Sequence, residues 1–351
     1  MSVQHMKIKK IEYQDQEYEW KIETLELLPN LTLLVGGSGA GKTQILNSIF
    51  SLKKIANGAS FNGVRWDICF VTEDSVNYRW KGEFKTKKID ELFPEIISSE
   101  EDEFDIIEES FYKDNQKIIE RNSQGIFFKN EKMPKLSPSQ SLVELFQREE
   151  DIAPAKENLD KIIFSKPYKA FEDAGIIFLS VLPKDDNYSL IDIQNSNFTV
   201  PIKLLLINQY IPEIFQKIKN KFIKIFPQIQ DIKVDSVSGN YGSFFVYIKI
   251  KEKGITDWIS QENISSGMYK TLIHLSELFL TPEGSVILID EFENSLGINC
   301  IDSVTDLILE NRNLQFIITS HHPYVINNIS PEFWKIVLRK GGSISTKNAE
   351  Y

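Results

Sequence analysis

A glycine-rich segment near the N-terminus carries residue types, at a spacing, that can hold a phosphate group. Residues 36–43 read GGSGAGKT, which matches the pattern G-x-x-x-x-G-K-[ST]. Glycines without a Cβ let backbone N–H groups turn towards an anion, and a helix that begins here adds its positive N-terminal end. Lys42 can reach the β- and γ-phosphates, and the Thr43 hydroxyl can bind Mg²⁺. The predicted nucleotide-binding residues are Gly36, Gly37, Ser38, Gly39, Ala40, Gly41, Lys42 and Thr43.

The segments on either side of this loop supply the context that the motif requires. Residues 31–35, LTLLV, form a short and mostly apolar run that is typical of a strand buried on both faces. Residues 43–52 place Ile45, Leu46 and Ile49 at helical spacing. A structural glycine turn is the alternative interpretation. The strand, loop, Lys-Thr pair and helix together favour phosphate binding.

A second motif supplies acidic groups. Residues 285–297 read SVILIDEFENSLG, so that a run of apolar residues ends in Asp290 and Glu291. A carboxylate at the C-terminal end of a central strand lies beside the phosphate loop in P-loop folds. We expect Asp290 to hold Mg²⁺ together with Thr43, and Glu291 to polarise the attacking water as general base. Alone, this is a common strand ending; the upstream loop makes the pattern specific.

A third motif lies just ahead of the acidic strand. Residues 264–270, ISSGMYK, open an amphipathic helix, and a serine-glycine turn at a helix start offers N–H groups to phosphate. An ordinary N-cap is the alternative interpretation. One protomer cannot easily apply two helix ends to one nucleotide, but two protomers that face each other can. We therefore expect a set of residues that act in trans, namely Ser265, Ser266 and Gly267.

The order of these motifs resembles that of the ATP-binding cassette ATPases. The resemblance implies an ATP-hydrolysing dimer, or a larger assembly built from dimers, with two ATP molecules between phosphate loops and opposing signature segments. It also implies a dimer-contact loop that contains Asn294 and Ser295, and a switch histidine after the next strand, where the sequence reads QFIITSHHPYVINNI. By position His321 is the switch that contacts the γ-phosphate, and His322 is a bystander. Gln140 is the candidate for the glutamine that senses Mg²⁺.

The signature reads ISSGM rather than LSGGQ, and the chain is similar to the soluble branch that includes the overcoming-lysogenization-defect ATPases, RecF and Rad50-like proteins. The sequence has no C-x-x-C hook and no long coiled coil, and too few residues follow His321 for a Toprim nuclease domain. The chain most resembles the ATPase of PARIS anti-phage systems, and next that of Septu systems. This resemblance implies a trigger from the phage and a separate effector, expected to be a Toprim-type nuclease.

The overall composition limits the other classes of function. The net charge of −10 gives no global basic field for nucleic acid, so that DNA binding would need a local patch. A RecF- or Rad50-like DNA-maintenance ATPase remains the alternative, with a candidate patch at Lys217, Lys219, Lys221, Lys224 and Lys233. Cys69 and Cys300 form no C-x-x-C pair, and neither a signal peptide nor a membrane-spanning run is visible. We therefore expect a cytoplasmic protein.

The predicted fold is α/β, a P-loop ATPase with a mixed central sheet, an antiparallel β subdomain and a helical insertion. We expect an N-terminal ATPase lobe at 1–140, the helical insertion at 141–230 and a C-terminal ATPase lobe at 231–351. Residues 202–226 form a long amphipathic run that is expected to break at Pro212. The acidic stretch SEEDEFDIIEES at 99–110 is expected to be a solvated loop.

Overall fold

The computed structural model describes residues 5–72, 75–87, 103–165, 175–178, 188–238, 243–295 and 300–349. The strands are β1 Lys7–Asp15, β2 Trp20–Glu26, β3 Leu31–Val35, β4 Val64–Val71, β5 Asn77–Phe84, β6 Ile106–Lys113, β7 Gln116–Asn122, β8 Gly125–Phe128, β9 Glu131–Lys132, β10 Ile162–Ser165, β11 Gly175–Phe178, β12 Ile229–Ser238, β13 Ser243–Glu252, β14 Ile259–Ser260, β15 Val286–Ile289, β16 Gln315–Thr319, β17 Trp334–Lys340 and β18 Ser343–Asn348. The α-helices are α1 Lys42–Ala56, α2 Leu142–Leu145, α3 Ala153–Asp160, α4 Leu190–Asn195, α5 Val200–Tyr210, α6 Pro212–Ile225, α7 Ser266–Leu280, α8 Ile301–Glu310 and α9 Pro323–Asn328.

The chain forms two compact units, and it passes between them more than once. The first unit consists of Met1–Ser165, Glu283–Asp290 and Asn311–Tyr351. The second consists of Lys166–Pro282 and Glu291–Glu310. The acidic motif therefore spans a unit boundary, because Asp290 ends a segment of the first unit and Glu291 begins one of the second. The three-part division expected from the sequence stays a prediction.

The first unit is built on one mixed sheet. In the described part of the chain its strand order is β10-β15-β16-β3-β17-β18-β2-β1-β4-β5-β6-β7-β8-β9. The first five strands are parallel to one another. The apolar runs of β3, β15 and β16 are buried almost throughout, as expected for strands in the centre of a parallel sheet. The carboxyl ends of these strands meet at one edge, where the phosphate loop follows β3 and Asp290 follows β15.

Helix α1 covers this parallel region, because its apolar residues fall on one face. Ile45, Leu46, Ile49 and Leu52 are fully buried, and the helix contacts β10, β16, α2 and α3. Burial of each such side chain contributes about 1.5–3 kcal/mol, so that an Ile49→Asp change would disrupt the packing. The helix begins after Gly41, whose positive φ ends the loop, and it ends before a glycine with φ +86° at position 58. The apolar face thus fixes the loop against the sheet.

The antiparallel strands of the first unit form an aromatic core of their own. The rings of Trp66 and Trp80 meet edge to face, with centroids 5.2 Å apart. Gly82 is required beside them, because a Cβ at this position would lie 2.5 Å from the Trp66 ring. The side-chain amide of Gln315 exchanges two hydrogen bonds of 2.8 Å with the backbone of Ile8 and so ties β16 to β1, which is not its neighbour in the sheet.

Residues 99–102 of the acidic stretch 99–110 lie outside the described part of the chain. The expectation of a solvated loop was wrong for residues 106–110, which belong to β6. Glu109 is buried there, and it accepts hydrogen bonds from Trp80 Nε1 at 2.7 Å and from the backbone N–H of Leu142. The charge of Arg121 stabilises the carboxylate of Glu109. The guanidinium of Arg121 donates hydrogen bonds to the backbone carbonyl oxygens of Ser137, Pro138 and Gln140. A buried polar network therefore holds the start of α2 against the sheet.

The second unit packs helices on a small antiparallel sheet of order β11-β13-β12, with β14 also paired to β13. Alternate residues of β12 and β13, such as Val234 and Ile248, are buried against α5 and α6. The predicted amphipathic run breaks at Pro212, where α6 begins after α5. A mixed α/β fold with a large mixed sheet, antiparallel strands and a helical region is therefore confirmed.

Candidate functional site

The phosphate-binding loop has a shape that its glycines make possible. A Cβ at Gly36 would lie 2.7 Å from the carbonyl oxygen of Val337. Gly41 has φ +99°, and a Cβ there would lie 2.4 Å from Ile344 Cδ1. Gly39 has φ +75°, whereas a Cβ at Gly37 would meet no atom within 4 Å. Close packing therefore requires glycine at positions 36 and 41, and the positive φ favours glycine at positions 39 and 41. The space around Gly37 is open.

Lys42 lies inside this loop. Its side chain is only 5% exposed, and Nζ donates hydrogen bonds to the carbonyl oxygens of Gly36 at 2.8 Å and Gly37 at 3.0 Å. The first intrahelical bond of α1 runs from the Ile45 N–H to the Gly41 carbonyl, so that the preceding N–H groups have no acceptor within the helix. The loop therefore gathers a cation and several backbone donors around one exposed turn, which is the chemistry of a phosphate site.

The structure brings Thr43 and Asp290 together. Thr43 Oγ1 donates a hydrogen bond to Asp290 Oδ2 at 2.8 Å, although the two residues are far apart in sequence. Thr319 Oγ1 donates to the other carboxylate oxygen, Asp290 Oδ1, at 2.6 Å. Thr319 ends β16, which lies between β15 and β3, so that the sheet order itself assembles the three side chains. Thr319 was not predicted; its signal is a polar residue that ends a buried apolar strand.

These side chains fit a Mg²⁺ ion. Hydroxyl and carboxylate oxygens are the hard ligands that Mg²⁺ prefers, and it is usually bound by one or two carboxylates together with phosphate oxygens. Thr43 and Asp290 present such oxygens next to the phosphate loop. Among the described residues there is no group of three or more His, Cys, Asp or Glu side chains that could hold a metal by itself. The position of Thr43 and Asp290 beside the phosphate loop suits a metal that arrives with a phosphate ligand.

The residues that follow the two central strands have distinct conformations. Glu291 is exposed and has φ +49°, a left-handed conformation that is uncommon for a residue with a side chain. His322 caps α9, because its Nδ1 accepts a hydrogen bond from the Tyr324 N–H at 3.2 Å. His321 is the more exposed of the two histidines. The capping contact of His322 agrees with its interpretation as a bystander, and the switch function of His321 stays a prediction.

The predicted signature residues lie at the start of α7 in the second unit. Ser265 is the N-cap, and its Oγ accepts a hydrogen bond from the Met268 N–H at 3.3 Å. Ser265 and Ser266 are exposed, and Gly267 is half-buried. The capping contact and a contact with a second protomer are compatible, and the second stays a prediction.

The predicted dimer-contact residues are described only in part. Asn294 and Ser295 belong to a 3₁₀ turn, Phe292–Ser295, but their side chains and residues 296–299 lie outside the described part of the chain.

Gln140 is not brought to the phosphate loop. Its Nε2 lies 3.7 Å from the position that a Cβ on Gly58 would occupy, just beyond the C-terminal end of α1. At a rise of 1.5 Å per residue, the length of α1 separates this end from the phosphate loop by about 20 Å.

The candidate basic patch is partly neutralised. Lys219 forms an ion pair with Asp231 at 2.5 Å, and Lys233 pairs with Asp235 at 2.9 Å. Such pairs lower the charge available to a nucleic-acid backbone.

A cavity of about 370 Å³ lies beside α1 and was not predicted. Its walls carry Tyr13 and Trp20, whose rings stack with centroids 5.6 Å apart, together with Tyr18, which is 72% exposed. Gln44 and Asn47 of α1 contribute amide groups. Aromatic faces next to amide donors and acceptors can hold a planar heterocycle, and Gln44 directly follows Thr43 in the chain.

Comparison with known proteins places the fold. No curated protein sequence matches the chain. The chain is similar to the crystal structure of an SMC head bound to the C-winged helix domain of ScpA, at 13% identity and a TM-score of 0.56, over 97% of this chain and 96% of the other. It is also similar to an SMC head with an extended coiled coil bound to the C-terminal domain of ScpA derived from Pyrococcus furiosus, at 14% identity and a TM-score of 0.50, over 97% and 96%.

No helix in the described part of the chain is long and apolar enough to cross a membrane.

Residues 31–327 match the family model AAA_21, described as "AAA domain, putative AbiEii toxin, Type IV TA system". This match spans the phosphate loop, the acidic motif and the histidine pair. The fold is similar to that of SMC heads, and the chain belongs to the AAA_21 family of P-loop ATPases.

Proposed function

We propose that this chain binds ATP with Mg²⁺ and hydrolyses it. The observation that supports this most is the position of Asp290, whose two carboxylate oxygens accept from Thr43 and Thr319 next to a loop that contains Lys42. Lys42 would bind the β- and γ-phosphates, and Thr43 and Asp290 would hold Mg²⁺. The metal supplies charge neutralisation of the phosphates when it is bound.

The aromatic cavity would receive the adenine base. Tyr18 and Trp20 offer ring faces for stacking, and the side chains of Gln44 and Asn47 offer hydrogen bonds to the edge of a base. The cavity and the phosphate loop share α1 as a wall, since Gln44 lines the cavity one residue after Thr43. This neighbourhood supports a nucleotide rather than inorganic phosphate as the ligand.

Hydrolysis would depend on Glu291 as general base, with His321 as the residue that senses the γ-phosphate. In the Glu291→Gln variant, shape and the metal ligand Asp290 are preserved. We expect ATP binding to remain and turnover to fall by about 10²–10⁴-fold, as is typical for the loss of a general base. Phosphate release by purified protein tests this. Unchanged turnover in the variant would show that another residue positions the water.

The active species would be a dimer in which Ser265, Ser266 and Gly267 of one protomer contact the γ-phosphate held by the other. Their exposed position at the start of α7 supports this, because a helix N-terminus presents N–H groups to an anion. Asn294 and Ser295 would belong to the contact between the protomers.

The purpose of the ATPase would be to switch a separate effector in cytoplasmic anti-phage defence. Support comes from the resemblance to PARIS-type ATPases and from the family description, which names a toxin–antitoxin system. ATP would hold two protomers closed, and a phage protein or hydrolysis would change that state. Such a switch requires an effector, expected to be a nuclease, that binds the two states with different affinity.

Co-expression in bacteria challenged with phage tests this second part. We expect the ATPase gene alone to give no protection and no growth arrest. Together with the neighbouring gene it should give one or both, and Glu291→Gln should block the response. Nuclease activity of the repurified chain alone that survives Lys42→Ala would contradict a separate effector.

A further inference from the structure

Arg339 lies on the opposite side of the phosphate loop from the carboxylate of Asp290. In the sheet, β3 has β16 as one neighbour and β17 as the other, and Asp290 follows β15 on the β16 side. Strand β17 runs parallel to β3 with Ile336 paired to Val35, so that the residues after Ile336 continue beside the loop. The loop therefore has an acidic side and, at Arg339, a basic side.

The guanidinium of Arg339 is held by two hydrogen bonds. Nη1 donates to Gln44 Oε1 at 2.9 Å, and Nε donates to the carbonyl oxygen of Gly341 at 3.0 Å. Gln44 Oε1 itself lies 3.2 Å from the Cβ position of Gly41, the last glycine of the loop. The guanidinium is thus linked through Gln44 Oε1 to the last glycine of the loop.

No carboxylate pairs with this arginine in the described part of the chain. Arg79, by contrast, forms a bidentate pair with Asp67. Arg339 is exposed, and its contacts use two of the five N–H donors of a guanidinium. An arginine keeps its charge and offers paired donors that match the oxygens of a phosphate. A fixed arginine without a carboxylate, beside a phosphate loop, therefore fits an anionic ligand.

We propose that Arg339 donates hydrogen bonds to the α-phosphate of the bound nucleotide. The inference rests on the proposed function, which places the metal-bound β- and γ-phosphates at Thr43 and Asp290 and the base in the aromatic cavity. Gln44 lines that cavity and also holds Arg339, so that the arginine faces the part of the ligand between the base and the metal. In a nucleotide that part is the α-phosphate and the ribose, and the guanidinium prefers the anionic group.

Calorimetric titration of ATP and of ADP into Arg339→Gln tests the proposal. Both nucleotides carry the α-phosphate, so that we expect both affinities to fall by the same factor, about 10- to 100-fold for the loss of charge-assisted hydrogen bonds. Arg339→Lys should recover part of the affinity, because it keeps the charge but not the paired donors. Lys340→Gln is the matched control, since it removes the neighbouring exposed cation and should leave both affinities unchanged.

The outcomes separate this inference from the function on which it rests. If the wild-type chain binds neither nucleotide, the proposed function itself fails. If it binds both and Arg339→Gln binds them equally well, with an unchanged melting temperature, only the inference is wrong. A loss confined to ATP would place Arg339 at the γ-phosphate and would also contradict the proposal.

Discussion

Both carboxylate oxygens of Asp290 accept hydrogen bonds, one from Thr43 of the phosphate loop and one from Thr319 at the end of the neighbouring strand β16. The sequence predicted the pair with Thr43, because both belong to motifs of known chemistry. It did not predict Thr319, because its one signal, a polar residue at the end of a buried apolar strand, is common and does not identify a partner. Its role depends on the pairing of β16 between β15 and β3, which joins segments that are remote in sequence. The hydrogen bond of 2.6 Å fixes the orientation of the carboxylate.

Thr319→Val should weaken binding of ATP in the presence of Mg²⁺, because Asp290 loses the donor that orients it. A hydrogen bond to a charged group contributes about 1.5–3 kcal/mol, which corresponds to about tenfold or more in affinity. Thr319→Ser keeps the hydroxyl and should bind like the wild type. Titrations with and without Mg²⁺ check this. An equal loss in both conditions would mean that Thr319 acts on the fold and not through the carboxylate.

At the scale of elements, apolar runs predicted the central strands and α1, and Pro212 predicted the break between α5 and α6. The strand β6 was missed, because the acidic residues around Glu109 indicate solvent. Glu109 is buried only because Trp80, the N–H of Leu142 and Arg121 surround it, and these belong to three separate segments. Polar partners from distant segments are invisible to a pattern of neighbouring residues. Gln140 lies beyond the far end of α1 and not at the phosphate loop. A pattern of neighbouring residues could not show this position either.

The loop between β3 and α1 gives a prediction with an internal control. Gly41→Ala should destabilise the fold by about 1–2 kcal/mol or more, because φ +99° is unfavourable for a residue with a Cβ and Ile344 occupies the space. Gly37→Ala should leave the melting temperature almost unchanged, since its Cβ would meet no atom within 4 Å. Thermal unfolding without nucleotide compares the two. Equal melting temperatures would contradict the packing described for Gly41.

Glu109 predicts a pH dependence of stability. Burial raises the pKa of Glu109 from 4.5 to about 7. A carboxyl group with a higher pKa in the folded chain binds its proton more tightly there, so that it favours folding at low pH. This contribution is complete below about pH 4.5 and is lost as pH rises to about 7, by up to about 3 kcal/mol.

Glu109→Gln removes the titrating group and should therefore gain stability relative to the wild type as pH rises. Urea unfolding of both proteins at pH 4.5 and pH 7.5 provides the comparison. A difference in the free energy of unfolding that stays constant between the two pH values would show that Glu109 does not titrate in this range.

At the scale of the whole molecule, the sequence predicted the mixed α/β class, and the expected division into three parts stays a prediction. The chain leaves the first unit after Ser165 and returns for Glu283–Asp290. It leaves again for Glu291–Glu310 and returns at Asn311. Such crossings depend on strand pairings between remote segments. The acidic motif crosses a unit boundary between Asp290 and Glu291.

Mixing of two inactive variants tests whether ATP sites are shared between protomers. Lys42→Ala removes the phosphate cation, and Ser265→Arg blocks the signature. In a mixed dimer one composite site carries both changes and the other carries neither. We therefore expect partial recovery of hydrolysis on mixing. If mixed dimers form and hydrolysis never returns, the sites are not shared or must act together.

The central claim is that the loop at 36–43, with Thr43 and Asp290, holds ATP and Mg²⁺. Calorimetric titration of ATP with Mg²⁺ into the wild type and into Lys42→Ala tests it most directly. The account predicts saturable binding by the wild type, weaker binding when Mg²⁺ is chelated, and no measurable binding by Lys42→Ala, because the cation inside the loop is lost. Equal affinity of the wild type and Lys42→Ala for ATP would contradict the account.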